Sequence, residues 1–315
     1  MSSAAGDTYK AMNELQEKIL ALKKEKKALI LAHYYQTGDV RQIADHVCDS
    51  FEMARRAQAA GESLIIVCGV RFMAESAKIL NPSKTVLLPA QGAGCPMADM
   101  IKPDNIKSLR GRYPDAAVVC YVNTSSAVKA ACDVCCTSSS AEEIVRALPS
   151  RQVIFVPDRN LCGYISSKVP EKEFIPFDGC CPIHDEINGK DVLAAKEAHP
   201  GAKLLAHPEC RMDVLVHADY IGSTAGIISE ALNSGSKEFI IGTEIEVVRR
   251  LCALAPDKRF YPLKESFICE DMKKTGLSDV LHSLEAEEHE ITLPVDDAIA
   301  AGRSLGRMIE LVAGG

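Results

Sequence analysis

Short apolar runs alternate with helical patterns along most of the chain. The first stretch reads as a strand over 28–32, a helix over 39–46, a short strand over 47–48, a helix over 51–60, a strand over 64–68, a helix over 72–80 and a strand over 85–89, after which comes Cys95. A second stretch places strands near 117–120, 134–135, 153–156 and 174–176, helices near 126–131, 141–148 and 161–168, and then Cys181. A third places strands near 203–206, 220–221, 239–241 and 259–261, helices near 212–217, 225–232 and 245–254, and then Cys269. Alternation of this kind is the signature of α/β architecture with parallel sheets.

The alternation has a period. Cys95, Cys181 and Cys269 are spaced by 86 and 88 residues, and His33, Tyr121 and His207, which end the first strands, by 88 and 86. Ser50, Ser138 and Thr224, just past the second strands, are also 88 and 86 apart. Three markers with one period define a repeat the size of a small domain. The expected fold is three similar α/β/α domains with parallel sheets around a pseudo-threefold axis, over 1–108, 109–195 and 196–284. The tail over 285–315, with a helix near 295–311, is expected to pack back on the first domain.

Open parallel sheets bind ligands beyond the carboxyl ends of their strands, and every marker lies in such a loop. If the three edges face inward, AHYYQTGD, CYVNTSSA and AHPECRMD bring His33, Tyr35, Tyr121, Asn123, His207 and Glu209 to one site, groups that bind carboxylates and carbonyls and move protons. Taken singly, each is more often structural. Ser50, Ser138, Ser223 and Thr224 stand at expected helix starts, where they would cap the helix, bind an anion, or both.

Composition narrows the chemistry. The 315 residues are 47% hydrophobic and 25% charged, with a net charge of −7, so nothing suggests a general attraction to nucleic acid or anionic membrane. The longest apolar runs fall far short of the roughly 20 residues a membrane helix needs. Met12, Leu15, Ile19 and Leu22 lie on one helical face that runs into Lys23, Lys24, Glu25, Lys26 and Lys27, unlike a signal peptide, and a cytoplasmic location is expected.

Thirteen cysteines in a cytosolic chain do not read as a disulfide framework. Thiolates hold zinc or iron–sulfur clusters, and the cysteines sharing the period are Cys95, Cys181 and Cys269. Three thiolates on a 4Fe-4S cluster leave one iron open to act as a Lewis acid. Cys132, Cys135 and Cys136 read as packed core despite a C-x-x-C spacing, and Cys180 is ambiguous. Cys48, Cys68, Cys120, Cys162, Cys210 and Cys252 read as core.

The series AHYYQ, YVNTSS, CTSSS, CPIH, HPEC, GSTAGI and IGTE, with the three spaced cysteines, resembles the quinolinate synthase family over about residues 28–273. That resemblance implies NAD biosynthesis: condensation of iminoaspartate with dihydroxyacetone phosphate to quinolinate, with loss of phosphate and water, on a 4Fe-4S cluster. It implies a functional link to an aspartate-oxidising or aspartate-dehydrogenating enzyme that supplies the imine. It carries the cluster ligands to Cys95, Cys181 and Cys269. It carries substrate-binding positions to His33, Ser50, Tyr121, Val122, Asn123, Ser138, His207, Pro208, Glu209 and Thr224, with Ser223 beside them.

On this reading Tyr35 and Glu209 exchange protons, Tyr121 and His33 act with them, His184 lines the cluster pocket and Thr243 contacts substrate. No cysteine follows Cys269, so the C-terminal C-x-x-C thiol switch of some members is not expected, and Glu270 and Asp271 make the last cysteine loop unusually acidic. A diphthamide-type radical enzyme can share a threefold arrangement with one cysteine per domain, but the HPE and YVN loops suit a dicarboxylate better. A zinc or iron–sulfur scaffold would not need convergent Tyr, Glu, His and Asn.

Overall fold

A computed structural model describes residues 12–313. Residues 1–11 and 314–315, at the outer ends of the first and last segments expected from the sequence, lie outside the described residues. Helix α1 (Glu14–Lys26) leads into β1 (Ala28–His33), α2 (Gly38–Ile43), β2 (His46–Cys48), α3 (Ser50–Ala59), β3 (Leu64–Cys68), α4 (Arg71–Leu80), β4 (Thr85–Leu87), α5 (Pro96–Asp99) and α6 (Pro103–Arg112). The second repeat contains β5 (Ala117–Tyr121), α7 (Ser126–Ala130), β6 (Val134–Cys136), α8 (Ala141–Ala147), β7 (Gln152–Val156), α9 (Arg159–Lys168), β8 (Glu173–Pro176), α10 (Pro182–Asp185) and α11 (Gly189–Ala198). The third contains β9 (Lys203–Ala206), α12 (Met212–Leu215), β10 (Tyr220–Ile221), α13 (Thr224–Asn233), β11 (Glu238–Gly242), α14 (Ile245–Leu254), β12 (Arg259–Pro262) and α15 (Glu270–Lys273). Helices α16 (Leu277–Ala286) and α17 (Val295–Ala313) follow.

The fold is α/β with three four-stranded parallel sheets. Their orders are β2-β1-β3-β4, β6-β5-β7-β8 and β10-β9-β11-β12, one topology used three times. In each, the chain reverses direction across the sheet between the first and third strands, which puts the loop after the first strand at the switch point where ligands bind. The central strands β1 and β5 are buried along their whole length, as strands covered by helices on both faces must be.

Repeated side chains build the repeated geometry. Asp45, Asp133 and Asp219 each accept the backbone N–H of the first strand, from Ile30 at 2.8 Å, Val118 at 2.7 Å and Leu204 at 2.8 Å. Their own N–H groups donate back to the carbonyls of those same residues. This tie turns the chain into the second strand. It is why the helix expected over 39–46 stops at Ile43, leaving His46 to pair with Leu31 in β2. Lys84, Lys172 and Lys258 each donate to carbonyls where an earlier helix of the repeat ends, satisfying acceptors a helix cannot satisfy itself.

Packing does not stop at the repeat boundaries. Helix α6 lies against α7, α11 against α12, and α16 against α1 and β3, so the helix after each cysteine crosses to the next sheet and the third crossing closes a ring. Val280 and Leu284 of α16 are fully buried with Ile19, Ile30 and Ile66 of the first repeat; each such side chain contributes about 1.5–3 kcal/mol of burial. Residues 277–284, which the sequence groups with the third repeat, therefore pack on the first.

The tail also divides. Glu290 forms an antiparallel bridge to Leu87, protecting the edge strand β4. Helix α17, expected on the first domain, lies chiefly over α7, β6 and α8 of the second and reaches the first chiefly through α4. Its Ser304 hydroxyl donates to the Lys129 carbonyl at 3.0 Å, fixing that position. Met12 is 45% exposed and precedes α1, so the buried face of that helix begins with Gln16 and Ile19. Among the described residues no helix is long and apolar enough to cross a membrane.

Candidate active site

The carboxyl edges of all three sheets surround one cavity of about 220 Å³, room for a small metabolite. Of the residues the sequence points to, His33, Tyr35, Ser50, Cys95, Tyr121, Asn123, Ser138, Cys181, His184, His207, Glu209, Thr224 and Cys269 line it. Val122, Pro208, Ser223 and Thr243 do not. The Val122 side chain is in the core and its N–H is committed to the Cys136 carbonyl. Pro208 is buried, Ser223 caps α13 by accepting from the Gly226 N–H at 3.2 Å, and Thr243 is fully buried behind the wall.

The loops after β1 and β9 adopt the same turn. His33 Nδ1 accepts the Tyr35 N–H at 3.2 Å and His207 Nδ1 accepts the Glu209 N–H at 3.3 Å. Using the Nδ1 lone pair leaves the ring proton on Nε2. Burial lowers His33 to about 3, with Lys273 and His207 adding to the effect, and burial lowers His207 to about 4. Both are neutral donors near neutral pH.

Glu209 is the electrostatic centre. Its Oε1 accepts the Tyr121 hydroxyl at 2.6 Å, its Oε2 lies 3.0 Å from His184 Nδ1, and His207 Nδ1 is 3.9 Å away. Burial raises the cost of charging it. His207, His184 and the two hydrogen bonds outweigh burial and hold the carboxyl below its usual range. Burial and this carboxylate push the hydroxyls of Tyr121 and Tyr35 well above theirs.

Tyr35 is joined to Glu209 by a continuous chain. Thr224 donates to the Tyr35 hydroxyl at 3.1 Å, that hydroxyl is 2.8 Å from Thr243 Oγ1, and Thr243 Oγ1 is 3.1 Å from His184 Nε2. His184 Nδ1 then meets the carboxylate. Hydroxyls both donate and accept, and neutral imidazole does one at each nitrogen, so the chain can move a proton between its ends.

The cysteines enter from the fourth strands. Cys95, Cys181 and Cys269 each stand at the N-cap of a four-residue helix, α5, α10 or α15, and none of the three side chains makes a capping hydrogen bond. They are half-buried and face the cavity, whereas the remaining cysteines are buried except Cys252 on α14. Burial pushes the Cys95 thiol up to about 12 and Cys269 to about 11, and raises Cys181 strongly; Cys269 adds to the rise at Cys95, as does Cys95 at Cys181. Cys180 is buried and does not line the cavity. Cys120, Cys132 and Cys135 form a buried thiol cluster on the far side of β5 and β6.

The capping expectation for the serines is corrected in two of three places. The cap of α3 is Asp49, whose carboxylate accepts from the Glu52 N–H at 3.0 Å, and that of α8 is Ser140. Ser50 and Ser138 are left to line the cavity. Asn123 Oδ1 is buried without a hydrogen-bond partner, an acceptor whose desolvation costs about 1–3 kcal/mol until something donates to it.

Sequence reasoning passed over several supporting groups. Asn160 Nδ2 donates to the Glu209 carbonyl at 3.1 Å, fixing the third-sheet loop from the second. Asp158, which caps α9, is fully buried beside Glu209; burial and that carboxylate raise it well above its usual range. A signal existed, since Asp158 lies 88 residues after Val70 and 86 before Glu244, the N-cap residues of the equivalent helices that follow the third strands.

Fold and site define a class: a three-repeat α/β protein presenting one thiol per repeat and a set of buried Tyr, His and Glu side chains to one metabolite-sized cavity. The family described as quinolinate synthetase A protein matches residues 17–310. The chain is 47% identical over 302 residues to a quinolinate synthase of Thermodesulfovibrio yellowstonii, covering 96% of this chain and 100% of that one. It is 49% identical over 297 residues to that of Methanoregula boonei, covering 94% and 98%, and 47% identical over 305 residues to that of Caldicellulosiruptor saccharolyticus, covering 97% and 99%. The chain belongs to the quinolinate synthase family.

Proposed function

We propose that this chain condenses iminoaspartate with dihydroxyacetone phosphate in the cytoplasm, releasing phosphate and two waters and closing the ring to quinolinate, with a 4Fe-4S cluster on Cys95, Cys181 and Cys269. The observation that carries the reading is the meeting of one half-buried thiol from each repeat with Tyr35, Tyr121, His33, His207 and Glu209 in one cavity. The donor set suits the group: three soft sulfurs, each at a helix N-cap with no capping hydrogen bond to compete for it, and otherwise held as neutral thiols by burial. When bound, a cluster with three protein ligands supplies an iron with an open position, a Lewis acid for a substrate oxygen.

The protein groups do the remaining work. His33 and His207 direct Nε2–H donors at substrate oxygens, and the hydroxyls of Ser50, Ser138 and Thr224 orient carboxylate and phosphate. Asn123 Oδ1 takes an N–H or O–H of the bound molecule. Glu209 accepts a proton during isomerisation and Tyr35 delivers one during elimination, the two being reconnected through Thr243 and His184. The apolar wall of Val70, Phe72, Met73 and Met97 keeps water from the imine.

The test is anaerobic. Protein loaded with iron and sulfide is incubated with dihydroxyacetone phosphate and aspartate, an aspartate-oxidising enzyme supplied with a non-oxygen electron acceptor generating the imine in place. Quinolinate is the expected product, and its absence from a cluster-replete sample would sink the reading.

A further inference from the structure

Among the described residues, Cys181, His184 and Glu209 are the group whose thiol, imidazole and carboxylate ligand atoms all lie within 4.8 Å of one another. His184 Nδ1 is 3.2 Å from Cys181 Sγ and 3.0 Å from Glu209 Oε2. Zinc bonds of about 2.0–2.3 Å at tetrahedral angles separate ligand atoms by roughly 3.3–3.6 Å, so His184 Nδ1 need shift only slightly from its two neighbours, and Cys181 Sγ and Glu209 Oε2, within 4.8 Å, are near enough to share one ion. We propose that the cluster-free chain binds one zinc-like divalent ion on Cys181, His184 and Glu209, with its fourth position open to the cavity.

Each ligand beyond the thiol has an outer partner of the kind metal sites use. Thr243 Oγ1, 3.1 Å from His184 Nε2, accepts the ring proton there and so frees the Nδ1 lone pair for the ion. The Tyr121 hydroxyl holds Glu209 Oε1 at 2.6 Å, leaving Oε2 to ligate. Binding expels the thiol proton, and the His184 ring proton is held on Nε2 by Thr243. The ion competes for Cys181 with the cluster and removes Glu209 from proton transfer. That consequence rests on the proposed function, whereas the site itself does not.

The probe is cobalt(II), added anaerobically to cluster-free full-length protein and displaced by zinc. One equivalent is expected to give the visible bands of four-coordinate cobalt and a charge-transfer band of one thiolate. A Cys95→Ser/Cys269→Ser double variant keeps this spectrum, Cys181→Ser loses the charge-transfer band, and His184→Asn and Glu209→Gln each weaken binding at least about tenfold. In the unmodified protein, cobalt protects Cys181 from alkylation and leaves Cys95 and Cys269 reactive, a readout independent of whether any variant folds. Protection of all three thiols or of none, or unchanged binding by both His184→Asn and Glu209→Gln, overturns the site. No substrate or cluster enters the measurement, so its failure leaves the quinolinate reading standing, and the converse.

Discussion

The Tyr121 hydroxyl, from the second sheet, donates to the Glu209 carboxylate of the third at 2.6 Å. One hydrogen bond thus ties the Glu209 carboxylate to two repeats at once, and the chain through His184 and Thr243 extends it to Tyr35 of the first. Removing either end changes different things. Glu209→Gln keeps the shape but cannot take a proton, and kcat should fall by about 10²–10⁴ with little change in iron and sulfide content. Tyr121→Phe removes one donor, so the acid limb of the kcat profile should move to higher pH as the carboxyl loses part of what holds it low. Steady-state rates of both variants across pH check this; full turnover by Glu209→Gln would refute the proton-transfer role.

The three cavity cysteines should behave unlike the others. Cys95→Ser, Cys181→Ser and Cys269→Ser are each expected to lose most bound iron and sulfide after anaerobic reconstitution. Cys252→Ser, which alters a half-exposed thiol on α14, should retain both. Metal analysis with the visible absorption spectrum decides, and a serine variant at any of the three positions with full iron and sulfide would remove that cysteine from the ligand set.

How much of this was legible in the sequence follows from what a repeat can encode. The strands, the three cysteines and the meeting of His33, Tyr121 and His207 follow from one period, because equivalent positions of equivalent units must share a side of the molecule. The ring closure does not follow. Val280 and Leu284 announce an apolar face but not which sheet receives it, and the choice of α1 and β3 is made by three-dimensional packing. The serines misled for a local reason: Asp49, one residue before Ser50, takes the cap. Asn160 was hidden because a side chain holding a distant carbonyl leaves no pattern along the chain.

That closure has a measurable energy. Leu284 is fully buried between α1 and the first sheet, so Leu284→Ala should cost about 2–5 kcal/mol. Urea unfolding of the cluster-free protein reads it directly. Helix α16 would be a minor appendage if the loss were below about 0.5 kcal/mol.

Two buried neutral histidines make stability depend on pH. Their folded values, about 3 for His33 and about 4 for His207, lie below the ordinary 6.5. The unfolded chain therefore binds protons that the folded chain refuses. Stability is complete above pH 6.5, declines as pH falls, and levels off for each group below its folded value. Each contributes a slope of about 1.4 kcal/mol per pH unit in that window. Denaturation at pH 7 and pH 5 should show the decline, and His207→Asn should make it shallower. An unchanged slope in that variant would show that His207 titrates alike in both states.

Lys273 joins the last cysteine loop to the first repeat. Its ammonium donates to the Tyr35 carbonyl at 2.5 Å and pairs with Glu244 at 2.6 Å, and Glu244 also accepts the Cys269 N–H at 3.3 Å. Gln36 adds a bond to the Met272 carbonyl at 2.7 Å. The Glu244 side chain is wholly buried, and burial already raises its carboxyl despite the ammonium. Lys273→Met would strand that charge, costing up to about 3–5 kcal/mol, less because Lys273 itself is 18% exposed. Adding Glu244→Gln removes the stranded charge and should recover a substantial part of the stability. Activity should not recover with it, because the Tyr35 carbonyl still lacks its donor. Stability and kcat restored together in the double variant would mean that Lys273 serves only to neutralise Glu244.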